Sequence, residues 1–168
     1  MNCLLKTFLL IVVIFLLIYV KAHGTRFIGN RAYENLKEIN DFGPKFAASF
    51  ASEVLTVNYL LAKLNAIKSE ANASQQVIVS HQIVDGYNFN SDIYRNIQNV
   101  VARLEGTRPD ALLVNCHFDS VVGSPGASDD AANCCVMIEI LKILARQNLR
   151  TKNSIIFLFN GAEEIGRN

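Results

Sequence analysis

The chain has 168 residues, 51% of them hydrophobic, and a formal net charge of +1. That length fits one domain plus a membrane segment. There is no basic patch interleaved with aromatics, no internal repeat and no low-complexity stretch, which argues against nucleic acid as a partner.

Residues 4–20, LLKTFLLIVVIFLLIYV, are apolar apart from Lys6 and Thr7. The run has no polar face, so it does not read as a helix of a soluble domain. Two readings fit. A cleavable signal peptide matches Lys6, the short apolar core, and Val20 and Ala22 before a cut at His23. A signal anchor matches if Leu4 and Leu5 join the span, since crossing a bilayer takes about 20 residues. Lys6 on one side faces Lys21 and Arg26 on the other, so charge does not set the orientation.

Residues 1–22 are thus a targeting or anchoring segment, and residues 23–30 a linker. The pattern then predicts a short helix over 31–40, ended by Gly43-Pro44. A long helix follows over 49–68, with Val54, Val57, Leu61 and Leu64 as its core stripe, widened by Leu55 and Tyr59. Asn72-Ala73-Ser74 is a glycosylation sequon in a turn, a motif frequent enough to occur unmodified. Residues 75–84 alternate apolar and polar as a strand does. Residues 96–104 return as its antiparallel partner, across a polar turn at 85–92. His81, in the first strand, reads as structural or exposed rather than as a ligand. Residues 105–110 form a turn with Gly106 and Pro109.

The chemistry-bearing part begins at residue 111. Residues 111–116 are a short buried strand with His117 and Asp119 at its C-terminal end. A Gly/Ser/Pro loop covers 123–128. Asp129 and Asp130 open a helix whose Val136, Ile140, Ile143 and Leu144 recur at helical spacing. Residues 154–160 form a second buried strand, and Glu163-Glu164 lie just past it. Two strands joined by a helix are parallel, so their C-terminal ends share one rim, the rim that carries ligands in open α/β sheets. One imidazole and several carboxylates gathered there suit zinc. Each motif alone has a structural explanation: Ser128 as an N-cap, and acids in a first helical turn complementing the dipole.

The cysteines are Cys3, Cys116, Cys134 and Cys135. Adjacent Cys134 and Cys135 point to different faces of their helix, which disfavours a shared metal. A Cys116–Cys134 disulfide is conceivable in an oxidising lumen, but buried free thiols are the expected state.

HFDSVVGSPGASDDAANC followed by IIFLFNGAEE resembles metallopeptidase family 28, the co-catalytic zinc exopeptidases, in its endoplasmic reticulum metallopeptidase 1-like branch. The resemblance extends through RAYENLKEINDFGPK, ASEVLTVNYLLAKL and YRNIQNVVARL, and so covers nearly all of the chain beyond residue 27. It implies an α/β three-layer sandwich on a mixed sheet, of which residues 31–168 hold the N-terminal part. It implies two Zn2+ ions: His117 binding one, Glu164 the other, and Asp129 bridging both, with a cis peptide from Asp129 to Asp130. Glu163 would be the general base toward the metal-bridging water. Asp119 would orient His117 through its other ring nitrogen. The implied substrate is a peptide. The implied location is the endoplasmic reticulum membrane with the peptidase part lumenal, which favours the anchor; secretion after signal cleavage is the alternative.

The family completes its site with an Asp and a His downstream of the Glu-Glu pair, and neither follows Glu164 here. Each zinc would keep two protein ligands where a catalytic zinc usually has three. The expectation is weak zinc binding and little catalysis by these 168 residues alone. A non-catalytic peptidase-like binding module and a glutaminyl cyclase-like single-zinc enzyme are the alternatives. The strand at 154–160 is apolar on both faces, so residues 27–168 alone are expected to be poorly soluble or molten.

Overall fold

The computed structural model describes residues 26–87 and 93–167. The apolar segment 4–20 lies outside them, and among the described residues no helix is long and apolar enough to cross a membrane. Helix α1 is Gly29–Asn40, and a π-type turn at Ala51–Thr56 runs into α2, Val57–Ser69. Strands β1 (Val77–Tyr87), β2 (Ile93–Leu104) and β3 (Arg108–His117) follow. A kinked turn at Ala127–Ala131 leads into α3, Ala132–Ala145, then β4, Asn153–Asn160, and a short 3-10 turn at Glu164–Arg167.

The four strands form one sheet in the order β1-β2-β4-β3. β1 and β2 are the antiparallel hairpin, β2 pairs antiparallel with β4, and β3 pairs parallel with β4. The mixed sheet and the parallel crossover are as expected. The turns are shorter than expected: β1 runs on to Tyr87 and β3 already begins at Arg108.

Strand alternation decides which side is covered. Val77, Val100, Ala102, Leu104, Cys116, Phe157 and Phe159 are buried on the face that packs against α2 and α3. The opposite face carries Ile78, Val101, Leu113, Ile156 and Leu158, and among the described residues no helix packs over it. Ile78 is 41% exposed and Leu113 58% exposed. All three helices lie on one side of the sheet, so the described residues form two layers of the three-layer sandwich whose N-terminal part the sequence predicts, and the other face is bare.

Two helical stripes also differ from the periodic reading. α2 buries Val57, Leu60, Leu64 and Ile67. Val54 and Leu55 are exposed, because the π-type turn holds more than 3.6 residues and rotates everything upstream of Val57 out of phase. In α3 the buried residues are Cys134, Cys135, Met137, Ile138, Leu141 and Ala145, while Ile140 is exposed and Val136, Ile143 and Leu144 are half-buried. The helix is apolar around most of its circumference, so spacing alone does not choose a face. Cys134 is bonded to Cys116 in a disulfide across Cα atoms 5.5 Å apart, which corrects the free-thiol expectation for this pair. Cys135 remains a buried free thiol on another side of the helix, its pKa pushed up to about 12 chiefly by burial.

Helix α1 is held to α3 by an ion pair between half-buried Arg31 and buried Glu139. Glu139, 1% exposed, accepts from Arg31 Nε at 2.9 Å, from Arg31 Nη2, and from the Ile28 amide at 3.0 Å.

Candidate functional site

The C-terminal ends of β3 and β4 lie side by side, with His117 in register with Asn160. His117 is therefore the last residue of one parallel strand, and Gly161-Ala162-Glu163-Glu164 leaves the other next to it. Gly161 lets the two segments approach. A Cβ there would stand 2.3 Å from the Gln98 carbonyl oxygen and 2.6 Å from Phe118 Cζ, so only glycine fits.

Asp129 arrives from the third direction. Gly126 sits at φ +62, and the chain beyond it is not yet helical: Asp129 has φ −131, ψ 89 and Asp130 has φ −134, ψ 20. The Asp129–Asp130 peptide is cis. Asp129 and Asp130 thus precede α3 in a kink instead of opening it, and their side chains diverge. Asp129 Oδ1 lies 3.1 Å from His117 Nε2. Asp130 Oδ2 accepts from the His117 amide at 3.3 Å, and its Oδ1 accepts from Asn133 Nδ2.

The remaining side chains close around this pair. One ligand atom from each of His117, Asp129 and Glu164 lies within 4.8 Å of the others. Glu163 Oε2 is 3.9 Å from His117 Nε2. An imidazole nitrogen and two carboxylate oxygens at that separation can converge on one cation. The donor set thus fits zinc.

Asp119 is 1% exposed, and its role differs in detail from the expected one. The His117 Nδ1 position is taken by the Asp119 main-chain carbonyl at 3.1 Å, with the carboxylate farther off at 3.5 Å. The carboxylate instead accepts from the Glu163 amide at 3.1 Å and from the Glu164 amide at 2.9 Å. One residue thereby ties the end of β3 to the segment after β4.

The electrostatics follow from the same contacts. Burial pushes the His117 pKa down, but the Asp119 carbonyl and charge, the Asp129 carboxylate and Asp130 outweigh it, and the net shift is upward. His81 is remote in role: it lies exposed on β1, with Nε2 2.8 Å from Gln98 Oε1. Among the described residues, the group of three metal-capable side chains is His117, Asp129 and Glu164.

The supporting contacts of three residues, Asp130, Ser120 and Lys45, were not foreseen from the sequence. Asp130 was visible as half of an acid pair. Ser120 and Lys45 gave no signal, because a serine after Asp119 and a lysine after Gly43-Pro44 look like surface residues. Beside Glu164 lies a cleft of about 680 Å³ lined by Phe46, Ala47, Ser120, Val121, Val122 and Ile165.

Comparison with known proteins identifies the family and the fold. Residues 99–168 match the model of peptidase family M28. Over 151 residues the chain is 41% identical to endoplasmic reticulum metallopeptidase 1 of Homo sapiens, covering 84% of this chain and 17% of the human protein. Over 55 residues it is 49% identical to a vacuolar membrane protease of Fusarium vanettenii, covering 33% of this chain and 5% of that protein. The chain therefore spans about a sixth of the length of the metallopeptidase 1 relatives that it matches. Among solved structures, the aminopeptidase LapA of Legionella pneumophila superposes with a TM-score of 0.70 at 19% identity, over 88% of this chain and 38% of that one. A glutaminyl cyclase of Porphyromonas gingivalis superposes with a TM-score of 0.66 at 20% identity, over 80% of this chain and 45% of that one. At these identities the superpositions establish the fold.

Proposed function

The chain belongs to peptidase family M28, and from that premise we propose that it supplies part of the active site of a zinc exopeptidase of the aminopeptidase type. The observation that carries this reading is the convergence of His117, Asp129 and Glu164 on one point, with the Glu163 carboxylate beside it. His117, Asp129 and Glu164 would hold the metal; a second ion, with Asp129 shared between the two, is what the family resemblance implies. Zinc bound there supplies Lewis acidity toward the scissile carbonyl and lowers the pKa of water.

The chain's own residues do the rest. Glu163 accepts the proton of the attacking water and delivers it to the leaving amine. Asp119 fixes the Glu163-Glu164 backbone, so base and ligand keep their spacing. The Asp119 carbonyl at Nδ1 leaves Nε2 of His117 as the metal-facing nitrogen. The cleft lined by Phe46, Val121, Val122 and Ile165 adjoins Glu164. Its apolar lining suits an apolar substrate side chain. The names of its relatives, an endoplasmic reticulum metallopeptidase and a vacuolar membrane protease, support a membrane-associated compartment, and on this reading the peptidase part would face the lumen of the endoplasmic reticulum. The Cys116–Cys134 disulfide supports an oxidising compartment.

The test is Glu163→Gln in a protein that also carries the downstream Asp and His, assayed on aminoacyl anilides together with bound zinc. Hydrolysis should vanish while the zinc content stays that of wild type. Retained turnover in this variant would sink the assignment of the base. One zinc per chain in place of two would favour the cyclase-like site over the co-catalytic one.

A further inference from the structure

Lys45 is one of the largest fully buried side chains, at 0% exposed. Burial holds its pKa below the usual lysine range, against a smaller opposing effect of Cys135. A lysine so placed incurs a desolvation cost that an alkyl side chain of the same size would avoid. Its hydrogen bonds say what it does instead.

The backbone of Lys45 is paired with Ser120 in both directions. The Lys45 amide donates to Ser120 Oγ at 2.8 Å, and the Ser120 amide donates to the Lys45 carbonyl at 3.1 Å. Lys45 Nζ reaches over the loop and donates to the Pro125 carbonyl, and to the Gly43 carbonyl at 3.3 Å. Inside the loop, Ser120 Oγ donates to the Ser124 carbonyl at 2.7 Å and the Gly126 amide donates to Ser124 Oγ at 3.2 Å. The packing is tight where the loop closes: a Cβ on Gly126 would stand 2.7 Å from Ser120 Cβ and 2.8 Å from the Asp129 carbonyl oxygen.

The loop from Ser120 to Gly126 is therefore held at both ends by one residue from a different part of the chain. Its upstream end continues directly from Asp119 and His117. Its downstream end leads within three residues to Asp129. We propose that Lys45 is a positioning residue for the metal site: by clamping Ser120 and Pro125 together it sets the separation of His117 from Asp129. This rests on the zinc reading given above. An ammonium group suits the task because it offers several donors from one point, and it satisfies the half-buried carbonyl of Pro125 together with that of Gly43.

The experiment is zinc affinity of the full chain, measured by competition with a chromophoric chelator, alongside thermal melting. Lys45→Met should bind zinc about tenfold more weakly, the range seen when a group supporting a ligand is lost. Lys45→Arg should recover most of that affinity, since a guanidinium can still donate to Pro125. Ser120→Ala, which removes one of the two hydrogen bonds at the other end of the clamp and the Ser120 Oγ bond to the Ser124 carbonyl, should also weaken zinc. Arg31→Ala is the comparison: it removes the ion pair to buried Glu139, away from the loop, and should lower the melting temperature without changing zinc affinity. A Lys45→Met protein that melts lower but binds zinc as wild type does would overturn the proposal. If that variant does not fold, unchanged zinc affinity in Ser120→Ala overturns it equally. Wild type that takes up no zinc defeats the metal reading itself, and this proposal with it.

Discussion

Replacing Asp119 by asparagine separates two roles that one carboxylate at this position can have. The geometry assigns the carboxylate to the Glu163 and Glu164 amides, at 3.1 and 2.9 Å, and leaves the His117 ring to the Asp119 main-chain carbonyl. Asparagine keeps one oxygen acceptor and turns the other into an NH2 group, which would point a donor at a donor. At least one charge-assisted hydrogen bond is lost and one buried amide is left unpaired, each of order 1.5–3 kcal/mol. Partial relaxation of the segment brings the expected loss to about 2–4 kcal/mol. For a domain of this size that lowers the melting temperature by roughly 5–15 °C. The Glu163-Glu164 segment should loosen, and zinc affinity should fall about 10- to 100-fold. The His117 tautomer should not change, because the carbonyl that faces Nδ1 belongs to the main chain. Thermal melting, chelator competition and the nitrogen-15 shifts of the His117 ring read these three quantities independently. A variant that melts with wild type but changes its His117 tautomer would refute the reasoning, since the carboxylate would then act on the ring and not on the backbone.

Arg31→Ala leaves Glu139 buried with the Ile28 amide as its remaining partner; the expected loss is about 3–5 kcal/mol by urea denaturation, and a loss under about 1 kcal/mol would mean that this amide suffices. Because the His117 pKa is raised in the fold, the metal-free protein should gain stability from this group below the ordinary histidine pKa and lose it as pH rises through the raised one. Zinc needs the neutral ring, so its affinity should instead fall, approaching a factor of about ten per pH unit, below that raised pKa. The difference between wild type and His117→Asn isolates both trends, and equal pH profiles for the two would exclude them. Residues 26–167 expressed alone should bind a hydrophobic dye through the bare sheet face, and Ile78→Lys with Leu113→Lys should reduce this; a soluble monomer with a sharp melt and no dye binding would show that the face is harmless.

Much of the fold was legible because it depends on patterns with one solution. A strand, a Gly-rich loop, an apolar helix and a second strand admit a parallel crossover, and this alone places His117 beside the Glu163 segment. The hairpin was legible from alternation in β1 and β2. What alternation and spacing could not deliver was phase. The π-type turn at Ala51–Thr56 inserts a fraction of a turn with no marking residue, and it moves Val54 and Leu55 out of the core. In α3 nearly every side is apolar, so the choice of face falls to Cys134 and Glu139, whose partners Cys116 and Arg31 are remote in sequence.

The site divides in the same way. Under the proposed function, His117, Asp129 and Glu164 stand out because a metal demands particular atoms that few other residue types supply, and Glu163 because a general base needs a carboxylate beside them. The groups that hold them are ordinary residues in unusual surroundings. Asp119 is recognisable as an acid near a histidine, but nothing in its spacing reveals that its main chain serves the ring and its side chain serves the Glu163-Glu164 backbone. Lys45 is the extreme case. A lysine after Gly43-Pro44 reads as solvent-exposed, and only the approach of Ser120 and Pro125 from some 80 positions away makes it buried. Ligand chemistry is local and can be read along the chain, whereas the precision of a site resides in contacts between distant segments. Substitutions at Lys45, Ser120 and Gly126 should therefore impair the site as ligand substitutions do, although none of the three has a side chain suited to binding the metal.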